Sequence, residues 1–140
     1  WENKEEHGGI NALTAKLIHL RRNVDGRTKG LTGQKIDVFH VNNQDKIVAF
    51  RRCHNGGPQD DVIVIANFAN QNFKDYEFGL PAGGQWKRRF SSDRTQYSDD
   101  FGGNASGDIE AEQRGYDGQS HCGCVQLPAY TVLIFSQDAE

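Results

Sequence analysis

Residues 61–70, Asp-Val-Ile-Val-Ile-Ala-Asn-Phe-Ala-Asn, constrain the fold more than any other stretch of the chain. Val62, Ile63, Val64 and Ile65 form its longest purely aliphatic, β-branched run, bounded by Gly56, Gly57 and Pro58 on one side and Asn70 and Asn72 on the other. β-Branched side chains are stiff at χ1 and fit a pleated surface, so residues 62–66 are read as a strand. The run shows no apolar/polar alternation. Both faces must therefore be covered, which places the strand inside a sheet rather than at its edge. It is far too short for a membrane span, which takes about 20 apolar residues.

Further strands follow from the same reasoning. Residues 36–41 and 47–53 flank Asn42, Asn43, Gln44 and Asp45, a turn composition that reads as a hairpin. Residues 73–80, 85–91, 108–111, 122–127 and 131–136 add short apolar segments separated by Gly, Pro, Asn and Asp. Residues 92–107 are too polar and glycine-rich for regular structure, and a loop of that length in a compact domain is often functional. Seven or eight short strands at this spacing predict a mainly β, antiparallel, Greek-key-like β-sandwich.

One helix precedes them. Over residues 7–22, Ile10, Leu13, Leu17 and Leu20 recur at three- and four-residue spacing as a single apolar stripe, and Asp25-Gly26 supplies a stop. The stripe must be buried on the sheet behind it or on a neighbour outside this chain.

Charge and cysteine content narrow the function classes. A net charge of −3 over 140 residues, with basic clusters only at Arg51-Arg52 and Lys87-Arg88-Arg89, argues against nucleic acid as a partner; those clusters are expected to face solvent. The opening residues, Trp-Glu-Asn-Lys-Glu-Glu, resemble neither a signal peptide nor a membrane anchor, and the missing initial Met suggests a piece of something longer. Cys122 and Cys124 are two apart, on one face of a strand and poorly placed for a disulfide, and Cys53 would be left over. Reduced thiols in a cytoplasmic setting are expected. His121, Cys122 and Cys124 could form half a zinc site, but no second pair stands at ligand spacing. No metal and no cofactor is expected. Asp93, Asp99 and Asp100 lack the spacing of a calcium loop and read as a solvated acidic loop.

The stretches 17–23 (LIHLRRN), 38–42 (VFHVN), 47–50 (IVAF), 62–70 (VIVIANFAN), 76–81 (YEFGLP), 91–93 (SSD) and 127–136 (LPAYTVLIFS) follow one another over nearly the whole chain. In this order they resemble the C-terminal part of enzymes of the α-amylase superfamily of glycoside hydrolases, particularly bacterial amylase-like and glucan-branching members. The resemblance implies that residues 1–34 hold the last helix of a catalytic (β/α)8 barrel plus a linker, and residues 35–140 an all-β domain packed against it. The barrel would then be the partner of the helix stripe, with a homodimer through Ile10, Leu13, Leu17 and Leu20 as the alternative.

The same resemblance takes the chemistry elsewhere. The family's two catalytic carboxylates, about 5–5.5 Å apart in retaining enzymes, sit at the C-terminal ends of barrel strands that this sequence lacks. No catalytic residue is therefore expected here. Two roles are left: a non-catalytic accessory domain that stabilises or covers the barrel, or an α-glucan-binding module. Sugar recognition needs exposed aromatic faces with nearby carboxylates or amides, for which Trp86, Tyr97, Phe101 and Tyr116 are the candidates, with Asp99, Asp100 and Asn104 nearby on the long loop. Against that stand core packing for Trp86 and a loop held by its own aromatics for Tyr97 and Phe101.

Overall fold

A computed structural model describes residues 7–102 and 106–139. Helix α1 (Gly8–Arg21) leads through a single 3-10 turn (Lys29–Thr32) into eight strands: β1 (Lys35–Asn42), β2 (Ile47–Cys53), β3 (Val62–Asn67), β4 (Phe73–Leu80), β5 (Gly84–Ser91), β6 (Ile109–Ala111), β7 (His121–Leu127) and β8 (Val132–Ser136). Six strands form one sheet in the order β1-β2-β3-β8-β5-β6, and β4 pairs with β7 in a second layer. Every pairing is antiparallel.

The β-branched run lies where its composition requires. All six residues of β3 are buried, between β2 and β8. Because side chains alternate across a strand, Ile63 and Ile65 point between the layers, where they meet Phe78, Leu80, Trp86, Leu127, Leu133 and Phe135. Val62 and Val64 point the other way and pack with Leu20, Leu31, Phe90 and Ile134 under the helix. One strand thus serves two apolar clusters, which is why it shows no alternation.

Helix α1 stops by a different device from the expected Asp25-Gly26 pair. Asn23, at φ 53°, takes the left-handed position just past the last turn. Its N–H donates to the Leu20 carbonyl, and that of Val24 to the His19 carbonyl, the two bonds of a Schellman ending. Gly9 lets the helix approach the long loop, since a Cβ there would collide with the Tyr97 carbonyl. In the β1–β2 hairpin the left-handed residue is Lys46 (φ 60°), while Asn42 braces the turn by accepting from the Asp45 N–H.

A second departure from the sequence reading concerns the basic pairs, which are not simply solvent-facing. Arg51 is paired with the buried Asp61 at 2.6 Å, Arg52 donates to the Gly33 carbonyl, and the mostly buried side chain of Arg89 bonds Ser136 and Asp138. The three cysteines are free thiols. Cys122 and Cys124 share the outer face of β7, where the former is buried and the latter exposed. Burial pushes the Cys122 thiol above its ordinary pKa, against the lowering effect of Arg114.

Candidate functional site

Two surface features stand out: an uncovered apolar face and an aromatic-lined groove. The face is formed by the side of the six-stranded sheet that carries α1. Val38, Phe50, Val64, Ile134 and Phe90 lie in one cross-strand row on that side. The helix covers the middle of the row and leaves its β1 end bare. Ile36, Val38 and Val41 are 59%, 52% and 71% exposed, all on the same face because a bulge at Phe39 restores the alternation.

The helix stripe divides in two. Leu20 is buried and Leu13 half-buried against this domain's own sheet, whereas Ile10 and Leu17 remain exposed. Leu20, and in part Leu13, are thus corrected from a docking or dimer face to an internal contact. Lys16 shares a cleft with Arg88 and Phe90 of β5. By the 3.6-residue period, Ile10 and Leu17 fall on the opposite flank of the Leu13–Leu20 line, toward β1. Helix and edge strand each present exposed apolar side chains.

The groove, of about 620 Å³, lies beside the N-terminal half of α1, where the long loop meets the β7–β8 connection. Asn72, Asp93, Phe101, Tyr130 and Thr131 are the lining groups of chemical interest. Asn67 fixes the connection by donating to the Gln71 and Pro128 carbonyls, and Asn72 accepts from the Ala129 N–H. Tyr130 then sits at φ 51°, an uncommon conformation for a bulky residue, with its side chain out in solvent. Such outliers cluster at ligand clamps. Asp93 accepts the Gly102 N–H through Oδ1, while its buried Oδ2 has no partner among the described residues.

The four aromatic candidates do not come together. Trp86 is 0% exposed in the inter-layer core with its indole N–H donating to the Ala82 carbonyl, so it has no face to offer a sugar and is corrected to a core residue. Tyr97 packs on Phe90, with ring centroids 6.1 Å apart, and anchors the loop against α1. Phe101 lines the groove. Tyr116 lies on a turn against Gly79 of the second layer, away from the groove lining. Asn104 lies outside the described residues. Tyr130 carries no periodic signal in the sequence; the Pro128-Ala129 pair before it marks only a turn.

A buried polar network joins the layers. His40 of β1 reaches Asp117 through Nδ1 at 2.8 Å and Tyr76 through Nε2 at 2.7 Å, and Asn42 donates to the Tyr76 hydroxyl at 3.0 Å. Asp117 also accepts the Gly79 N–H. With Nδ1–H donating to the carboxylate, Nε2 accepts from the tyrosine, so every member is satisfied. The network has no open nucleophile and is structural. Among the described residues no group of His, Cys, Asp and Glu could hold a metal ion, and no helix is long and apolar enough to cross a membrane.

The structure therefore defines an all-β sandwich entered through a single helix, with an uncovered apolar face and no assembled catalytic constellation among the described residues. The chain belongs to the α-amylase C-terminal all-beta domain family, whose model matches residues 39–138. Its relatives include the 1,4-alpha-glucan branching enzyme GlgB of Corynebacterium jeikeium (30% identical, covering 96% of this chain and 18% of the relative). The namesake enzyme of Burkholderia thailandensis is also 30% identical (92% and 15%), and that of Prochlorococcus marinus 36% identical (69% and 12%). The chain thus spans less than a fifth of the length of each of these three relatives.

Proposed function

We propose that this chain is the non-catalytic C-terminal accessory domain of an α-glucan-acting enzyme and that it stabilises the catalytic barrel by docking on it. In this reading residues 1–34 carry the end of the barrel and residues 35–140 the accessory domain. The three free thiols suit a cytoplasmic enzyme. The observation that carries the reading is the exposure of Ile36, Val38 and Val41 on β1 and of Ile10 and Leu17 on α1. Each such side chain buried against a barrel contributes about 1.5–3 kcal/mol.

The triple variant Ile36→Lys, Val38→Lys, Leu17→Lys is expected to lower the melting temperature of the isolated chain only slightly, since these side chains are already 59%, 52% and 39% exposed. The same changes in the full-length parent enzyme should lower its thermal midpoint by several degrees. An unaffected parent would refute docking through this face. A wild-type chain that is dimeric in light scattering, and monomeric as the triple variant, would instead assign the surface to a homodimer.

A second reading, an α-glucan held in the groove, is favoured by the strained, exposed Tyr130 beside Phe101 and the unpartnered Asp93 oxygen. Maltoheptaose titration followed by tyrosine fluorescence tests it. Binding lost in Tyr130→Ala supports the groove; no binding by the wild-type chain removes it. Under both readings the purified chain neither hydrolyses nor branches starch, which reducing-end and iodine assays check.

A further inference from the structure

The flank of α1 opposite Leu17 meets β5 and residues 92–97 in a cleft of two adjoining hollows, of about 210 and 250 Å³, that share Lys16, Arg88 and Arg89. Arg27 and His19 line one end and Arg94 the other, and among the described residues Asp25 is the only carboxylate in either lining. Among the described residues the cations are only partly neutralised. Asp25 is paired with His19 at 3.0 Å, and Asp138 serves Arg89 at 2.5 Å and Arg27 at 3.8 Å. Asp108 takes Lys87 at 3.2 Å and the Arg88 backbone N–H, leaving the Arg88 guanidinium the Ser106 carbonyl as its one hydrogen-bond acceptor among the described residues.

The side chains of Lys16 and Arg94 make no hydrogen bond or ion pair among the described residues. Burial, and then the charge of Arg94, hold the Arg88 guanidinium below its ordinary pKa against the raising effect of Asp108. Cations that line a concavity without a direct ion pair, as Lys16, Arg88 and Arg94 do among the described residues, destabilise the free protein and favour an anionic ligand. Arginine forks together with a lysine suit a compact, multiply charged oxyanion better than a single carboxylate.

We propose that this cleft binds a phosphate group, free or as the phosphate of a monoester, between Lys16 on the helix and Arg88 and Arg94 on the β5 side. The proposal is independent of barrel docking, because the cleft lies on the flank of α1 away from Ile10 and Leu17.

The test is an amide-resolved NMR titration of the 140-residue chain with inorganic phosphate, and separately with glycerol phosphate, at ionic strength held constant by chloride. Saturable shifts are expected at residues 16–20 and 88–97, with residues 62–66 unmoved. Lys16→Gln and Arg94→Gln should each weaken binding about tenfold, the loss of one charge-assisted contact, and Arg94→Lys should recover only part. Tighter binding of glycerol phosphate than of the inorganic ion would identify the monoester as the ligand; the reverse order would identify free phosphate.

Phosphate should also raise the melting temperature of the unaltered chain above that in matched chloride, a readout that needs no variant. The proposal is overturned by equal shifts in chloride alone, by undiminished binding in the double variant, or by no thermal shift. Tighter binding of hexaglutamate than of either phosphate would overturn it too, and would mark the cleft as a seat for an acidic segment.

Discussion

Ile63→Asp or Ile65→Asp leaves the chain unable to fold, with loss of soluble expression as the readout. Both side chains are wholly buried between the layers, Ile63 opposite Phe135 and Ile65 opposite Leu133 on β8. The substitution removes a packed aliphatic group and places a carboxylate where the core cluster offers no cation. An unpaired buried charge costs several kcal/mol, and the whole stability of a domain this size is about 5–15 kcal/mol. Ile65→Val, which deletes one methylene, should cost only about 0.5–1.5 kcal/mol and stay soluble. Either aspartate variant folded with a near-native melting temperature would refute the central position of β3.

The second large effect is expected at Asp60, a buried carboxylate. It accepts the backbone N–H groups of His54 at 2.8 Å, Asn55 at 2.6 Å and Gly56 at 2.8 Å, and so folds the β2–β3 connection around itself. Burial by itself pushes this carboxyl up, but the three N–H donors, aided by Lys29, outweigh it and hold the pKa below the ordinary value. A lowered folded-state pKa means that ionised Asp60 contributes stability in full above the unfolded carboxylate pKa of about 3.9. That contribution is lost progressively as the pH falls through the lower folded pKa.

Asp60→Ala, which leaves three donors without an acceptor, should cost about 3 kcal/mol at neutral pH. Asp60→Asn should cost less and flatten the acid limb of stability against pH. Denaturant titrations from pH 7 down to about pH 2.5 check both. A wild-type profile whose acid limb is unchanged by Asp60→Asn would show that the three bonds carry no net stability.

Much of this architecture is legible from local pattern, because strand and helix signals depend on near neighbours in the chain. The unbroken β-branched run required a strand covered on both faces, and β3 is that strand. The spacing of Ile10, Leu13, Leu17 and Leu20 required a helix, and the order of short apolar segments required an antiparallel sandwich.

Which face of each element is hidden was decided only by the tertiary structure, since that depends on partners distant in sequence. Leu20 is internal because the sheet and Leu31 close over it, while Leu17, three positions earlier, is left in water. Trp86 is open by sequence between a sugar platform and core packing, and it is core because β6 brings Ile109 opposite it. His40 and Asp117 are 77 positions apart and meet only because the turn at residues 115–119 folds onto the second layer. Lys16 and Arg94 look like ordinary surface charges until α1 crosses the end of β5. The uncompensated charge in that cleft exists only once both are in place, because it is the sum of contributions from separate elements.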